Sequence, residues 1–340
     1  MTDYRDHSDV RELAASVADG ARSAVARALN LLDDSRSSAA SRQRTLFSTL
    51  TLPEQRLGAH IVGFTGPPGA GKSTLISSLI AAWREQSLSV GVIAADPSSP
   101  LSGGALLGDR LRMRVADDDA HVFIRSVANR GSYGGLTPEL LPMAVVMCAA
   151  FDRVVIETVG VGQREVDVAF AVDTTCLVVQ PGAGDNVQYL KAGIMEIPDL
   201  LVVTKADLGP IAERARNELM SSVMGHEVPV LSTSAVDGRG IGELRQALNV
   251  QHHDLLAHGA LENKRRRAQA YWLVSRIREE FGRYGLARVG GADALAEELV
   301  ASPGSVLADF QIIRDRVIAA LGGRALPNNH PANHAESVSA

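Results

Sequence analysis

The stretch HIVGFTGPPGAGKSTLISSLI, residues 60–80, decides the fold. It opens on an apolar run, passes through a turn rich in Gly and Pro, and closes on the spaced aliphatics of an amphipathic helix. Within it, Gly66-Pro67-Pro68-Gly69-Ala70-Gly71-Lys72-Ser73 satisfies G-x-x-x-x-G-K-[ST] in full. In such a loop glycine lets successive main-chain N–H groups turn toward phosphate oxygens, and the following helix adds its positive dipole end. Lys72 is then expected to reach the β- and γ-phosphates, and the Ser73 hydroxyl to ligate Mg2+. Thr74, next along the helix start, joins the expected nucleotide-binding residues. A chance match in a Gly-rich turn is the competing reading, and the strand–loop–helix setting argues against it.

Outward from this loop, short Val/Ile-rich runs alternate with longer amphipathic stretches from His60 to about Val250. The runs are HIVGFTG, SVGVIAAD, HVFIRS, RVVIETVG, TTCLVVQPG, LLVVTKAD and VPVLSTSA. They are continuously apolar rather than alternating, as expected where helices cover both faces of a parallel sheet. The expected fold is therefore α/β: a P-loop NTPase with a mainly parallel sheet flanked by helices. Helical spacing of Leu13, Val17, Ala21, Val25, Ala28, Leu29 and Leu32 predicts two or three helices before it, interrupted near residues 33–38. Helical patterns resume at KRRRAQAYWLVSRIREEF, ADALAEELV and SVLADFQIIRDRVIAAL. The expected divisions are an N-terminal helical region (1–55), a nucleotide-binding domain (56–255), a C-terminal helical region (256–323) and a polar, turn-rich tail (324–340) expected to be disordered.

Strand ends supply the remaining candidates, because ligands of open α/β sheets bind outside the carboxyl ends of the strands. Asp96 ends SVGVIAAD, Glu157 ends the apolar part of RVVIETVG, and Asp109 follows in a glycine-rich segment. Hard carboxylate oxygens suit Mg2+, so Ser73, Asp96, Asp109 and Glu157 form the expected metal set. Thr204-Lys205-Ala206-Asp207 ends LLVVTKAD and matches the [N/T]KxD pattern that reads guanine. The Asp207 carboxylate can accept from N1–H and the exocyclic amine, donors that adenine does not offer on that edge. Sites built on such bonds reject the analogue lacking them by roughly 10⁴–10⁵-fold. Lys205 is expected to lie along the base, and Ser234 and Ala235 to present a main-chain N–H to guanine O6. The expected ligands are GTP or GDP with Mg2+.

Composition narrows the class further. The chain has 340 residues, 46% hydrophobic and only 4% aromatic, so its core must be aliphatic. A formal charge of −5 gives no general attraction to nucleic acid or to an anionic membrane. The N-terminus lacks a secretory pattern and no apolar run approaches the roughly 20 residues of a membrane span, which predicts a soluble, cytoplasmic protein. The two cysteines, Cys148 and Cys176, lie in apolar runs and read as buried thiols. Lys264-Arg265-Arg266-Arg267 reads as a solvated helix start rather than a nucleic-acid patch. His252, His253 and His258, with His330 and His334, read as exposed rather than metal-binding. Trp272, Val274, Ile277 and Phe281 form an apolar stripe suited to packing or to a dimer face.

With these segments in place, the chain resembles the MeaB/MMAA-type accessory GTPases of methylmalonyl-CoA mutase. The resemblance is carried by ADPSSPLSGGALLGDRLRM, NRGSYGGLT, IETVGVGQREVDVA, QPGAGDNVQYLKAGIMEIPDLLVVTKAD and TSAVDGRGI. It implies a GTP-hydrolysing chaperone that assists cofactor loading and protection of an adenosylcobalamin-dependent acyl-CoA mutase. It further implies a homodimer joined through the C-terminal helical arm, with a cobalamin adenosyltransferase as a second candidate partner. By the same resemblance Ser73, Asp96, Asp109 and Glu157 fall in or near the magnesium and γ-phosphate site, where Asp96 and Glu157 join Lys72 as expected catalytic residues, and Gly182 to Lys191 forms a switch whose active members are Asp185 and Lys191. Gln163 is a candidate for positioning water. Departures include Ala95 for Val, Thr204 for Asn, and Leu101 for Arg; those in switch-like segments leave a mutase other than the methylmalonyl-CoA enzyme open as partner. The alternatives are a nickel-insertion-type GTPase, a kinase linked to amino-acid transport, and a binding switch without useful turnover.

Overall fold

The computed structural model describes residues 2–34, 36–50, 58–97, 119–129, 139–158, 168–182, 198–223, 228–302 and 305–322. Three helices come first: α1 (Thr2–Ala18), α2 (Arg22–Leu32) and α3 (Ser37–Thr49). The break between α2 and α3 falls where the helical spacing of apolar residues stops. The sheet region then runs β1 (His60–Thr65), α4 (Lys72–Arg84), β2 (Val90–Pro97), β3 (Val122–Asn129), α5 (Leu140–Ala150), β4 (Arg153–Glu157), β5 (Thr174–Val179) and β6 (Leu200–Val203). A 3₁₀ turn (Ala206–Leu208), α6 (Pro210–Ser222), β7 (Val230–Ser232) and α7 (Ile241–Ala257) complete it. The chain continues through α8 (Ala260–Ala287), α9 (Ala292–Ala301) and α10 (Val306–Ala320).

Among the described residues seven strands pair in the order β3-β2-β4-β1-β5-β6-β7, every pair parallel. Each apolar run expected to be a strand is one. Side chains of opposite parity on β1 enter different layers: Ile61 faces α1, α2 and α5, whereas Val62 and Phe64 face α4 and α7. On β5, Leu177 and Val179 pack with α6 while Cys176 and Val178 turn to the α4 side. Both faces are therefore buried, which explains why the runs carry no polar alternation. The fully buried Trp83 anchors α4 in its layer. α5 is apolar all round and buried at ten positions, because α2 covers the side that the sheet does not.

The C-terminal helices build their own core from Leu273, Ile277, Leu295, Val306 and Val317. α8 is broken at Gly282, whose φ of 66° and ψ of −172° are not helical. Val274, Ile277 and Phe281 are buried inside this core, and Trp272 meets Phe310 at 5.5 Å, so the apolar stripe packs within the chain. Leu307 and Ala308 of α10 also join the core formed by the N-terminal helices.

Two sequence expectations are overturned here. The basic run at 264–267 is not a solvated helix start. Arg265 grips the buried Asp173 through Nε at 2.9 Å and Nη2 at 2.6 Å, and Lys264 Nζ donates to the Asp173 carbonyl at 2.6 Å. Arg266 donates to the Leu299, Val300 and Ser302 carbonyls, which close the C-terminal end of α9; only Arg267 is exposed. Nor is His252 exposed: it is buried and stacks on His60, with ring centroids 4.4 Å apart. His253 and His258 are exposed as expected, and both cysteines are free and buried. Burial pushes the Cys148 thiol up to about 12 and the Cys176 thiol well above its ordinary value, so both are inert. Among the described residues no helix is long and apolar enough to cross a membrane.

Candidate nucleotide site

Every candidate residue that the structure describes lies at the carboxyl end of the sheet, around the central strand β1. The chain leaves β1 at Thr65 and turns through Gly66 with φ of 140°. A side chain there would run into the Val178 carbonyl of the neighbouring strand, so only glycine permits this approach. Gly71, in the left-handed region at φ 88°, is the N-cap of α4, and no side chain caps that helix start. Its first N–H groups are thus the orphan donors that anions satisfy. Lys72 folds back over the loop and donates to Gly66 O at 2.7 Å and Pro67 O at 3.1 Å, which holds a buried ammonium in the cradle.

The β4 end supplies the acid. Glu157 pairs in register with Phe64 of β1 and is 4% exposed; its Oε1 accepts from Ser73 Oγ at 2.7 Å. A hydroxyl and a carboxylate held together beside a phosphate cradle form a hard-oxygen donor set, and it fits Mg2+. Beside it, the buried Thr158 hydroxyl donates to Thr65 Oγ1 at 3.1 Å and ties the end of β4 to the end of β1. Asp96 lies near the end of β2, next to Ala128 of β3, but its side chain is outside the described residues. Asp109, Gln163, Asp185 and Lys191 also lie outside them.

The guanine motif is joined to the cradle by two hydrogen bonds and to the end of β5 by a third. Thr204 Oγ1 donates to Ala70 O at 2.6 Å and to Val179 O at 3.1 Å. Lys205, at a left-handed φ of 56°, sends its ammonium to Gly69 O at 3.2 Å. The same ammonium meets Gln180 Oε1 at 2.5 Å, a contact that reading the sequence missed. Asp207 Oδ1 accepts from Ser234 Oγ at 2.8 Å, so the carboxylate is oriented by the β7 loop. Ser234 donates its main-chain N–H to Arg239 O at 2.8 Å. Its backbone donor is therefore engaged within its own loop, while Ala235 sits beside it, half-buried. Arg239, also missed, braces the turn through the Ala206 carbonyl at 3.4 Å.

A glycine phosphate loop and a TKxD turn bonded to one another at the ends of a parallel sheet define a P-loop GTPase. Comparison with known proteins carries this further. Residues 25–285 match the family described as methylmalonyl-CoA mutase-associated GTPase MeaB. A Pyrococcus horikoshii protein named as a GTPase is 42% identical over 267 residues, covering 76% of this chain and 82% of that one. The mouse protein named methylmalonic aciduria type A homolog, mitochondrial, is 40% identical over 229 residues, covering 64% and 55%. A solved structure described as a LAO/AO transport system kinase superposes with a TM-score of 0.63 at 25% identity, covering 91% of this chain and 98% of that one. The chain belongs to this MeaB family of methylmalonyl-CoA mutase-associated GTPases and is a GTPase of the guanine-nucleotide-binding class.

Proposed function

We propose that this chain hydrolyses GTP in a Mg2+-dependent cycle that assists cofactor loading and protection of an adenosylcobalamin-dependent acyl-CoA mutase, the methylmalonyl-CoA enzyme or a relative. The observation that carries the nucleotide part is the bonding of the guanine motif to the phosphate loop through Thr204 and Ala70, at 2.6 Å. In this reading the bond couples base recognition to phosphate binding. Family membership supports the mutase part.

In this reading the loop N–H groups and the start of α4 bind the β- and γ-phosphates, and Lys72 turns from the Gly66 and Pro67 carbonyls to the phosphate oxygens. Water attacks the γ-phosphorus in line, the bond to the β–γ bridging oxygen breaks, and GDP and inorganic phosphate leave. Charge accumulating on the transferring group is met by Lys72 and by fixed main-chain dipoles that need no reorganisation. Mg2+, when bound, neutralises phosphate charge; Ser73 and Glu157 would hold it, with Asp96 and Asp109 as further oxygen donors. Asp207 accepts from guanine N1–H and its amine, and Ala235 N–H serves O6. Asp185 and Lys191 are assigned to a partner-responsive switch on the resemblance alone. The protein is expected to act in the cytoplasm as a homodimer, with a cobalamin adenosyltransferase as a further partner.

The test is co-purification with candidate cobalamin-dependent mutases, followed by GTPase rates with and without each. One mutase should bind and raise the rate. If none binds or changes the rate, the mutase role fails while the GTPase assignment stands.

A further inference from the structure

We infer that Gln180 is a positioning residue for guanine-nucleotide binding and acts through Lys205. The inference deepens the nucleotide-site assignment and rests on it. Gln180 follows the last residue of β5, and Val179 is in register with Val203 of β6, so positions 180 and 204 leave adjacent strands together. The next residue, Lys205, takes a left-handed backbone conformation, which is costly for a side chain with a Cβ. That turn brings its ammonium back toward the phosphate loop. There it is divided between Gly69 O at 3.2 Å and Gln180 Oε1 at 2.5 Å. A Cβ placed on Gly69 would stand 4.0 Å from Gln180 Nε2, so the amide lies against the loop as well as against the lysine. The cradle and the TKxD turn, which must hold one nucleotide, therefore meet at a side chain supplied by the end of β5.

The chemistry of the acceptor matters. Among the described residues no carboxylate meets the Lys205 ammonium. A glutamine orients it without neutralising it, and the positive charge stays available to the nucleotide. A glutamate would hold the lysine at least as firmly but cancel its charge. A leucine would fill the same space and leave the lysine with one weak acceptor.

The experiment measures GDP affinity and steady-state GTP hydrolysis for the full chain, Gln180→Leu, Gln180→Glu, Lys205→Ala and the Lys205→Ala/Gln180→Leu double variant. Loss of one charge-assisted hydrogen bond between an exposed lysine and a half-buried glutamine predicts that Gln180→Leu weakens GDP binding and raises KM for GTP by the same factor, about 2–5-fold. Its kcat should stay within about twofold, because the interaction is equal in ground and transition states. Gln180→Glu should lose less affinity than Gln180→Leu, since it keeps the acceptor. In the Lys205→Ala background Gln180→Leu should have almost no further effect, a coupling that a residue merely supporting the fold would not show. Unchanged affinity in Gln180→Leu, a fall in kcat without a change in KM, or additive losses in the double variant would each overturn the inference. A wild-type chain that binds no GDP would instead sink the nucleotide assignment itself.

Discussion

Replacing Thr204 by valine isolates the shorter of the two bonds that join the guanine motif to the phosphate loop. Valine is nearly isosteric with threonine, so packing at this buried position is preserved. Only the hydroxyl is lost. Its single proton is shared between Ala70 O at 2.6 Å and Val179 O at 3.1 Å, with the shorter contact dominant. Ala70 is fully buried, so its carbonyl is left without this donor and without ready water. A lost hydrogen bond costs about 1 kcal/mol net, and stranding a buried acceptor raises this to about 1–3 kcal/mol. For a chain of 340 residues each kcal/mol lowers Tm by roughly 1–2 °C. The unliganded Thr204→Val protein should therefore melt roughly 1–4 °C lower by differential scanning fluorimetry. The second consequence is functional: a loop released from the guanine motif must be ordered by the ligand, so GDP affinity should fall as well. Thr204→Asn, which restores a side-chain donor, should recover most of both losses. An unchanged Tm with unchanged GDP affinity in Thr204→Val would refute the claim that this bond joins the guanine motif to the loop.

Asp207→Asn should weaken GTP binding by about 100-fold or more, since two hydrogen bonds to a charged acceptor are disturbed, and should improve binding of xanthosine nucleotides; calorimetric titration checks both. Breaking the buried Asp173–Arg265 pair with Arg265→Met should cost about 3–5 kcal/mol in urea unfolding, because Asp173 is 1% exposed and would be left buried without this partner. Burial opposes the Arg265 charge, but Asp173 more than offsets it and holds the guanidinium above its ordinary value. Stability should also fall as pH drops from about 6.5 toward 4. Burial, with Arg153 beside it, lowers the His252 imidazole to about 4, and burial with His252 and Arg153 nearby keeps His60 well below its usual range. The unfolded histidines take up protons first, so the unfolded state binds more protons in this window and is favoured by acid. Melting curves of His252→Phe across the same range should show a shallower dependence than wild type.

The strands were legible because a parallel sheet covered on both faces needs uninterrupted apolar runs, and Val90, Val92, Val154 and Val155 sit in runs that no other element explains. The order of those strands was not, since each run is apolar enough to occupy any central place. The phosphate loop and the TKxD turn were legible because their chemistry demands particular residue types at fixed spacing. Arg265 was misread because its partner, Asp173, lies 92 residues away and nothing local distinguishes a buried guanidinium from a solvated one. His252 could have been placed: Ile241, Leu244, Leu248 and His252 share one face of α7, and all four are buried. Gln180 also carried a signal, being at a strand end like Thr204, but its role required the backbone turn at Lys205 that brings the two side chains together.

The proposed site joins the cradle and the TKxD turn into one binding place for guanine nucleotides. Isothermal titration of the full chain with GDP, GTP and ATP in the presence of Mg2+ tests it most directly. One site per chain is expected for GDP and GTP, with ATP weaker by about 10⁴-fold or more, because the Asp207 carboxylate, exposed in the free site and covered by the base on binding, would lose both its donors. Equal affinity for ATP, or saturable GDP binding that survives in both Lys72→Ala and Asp207→Asn at wild-type strength, would contradict it.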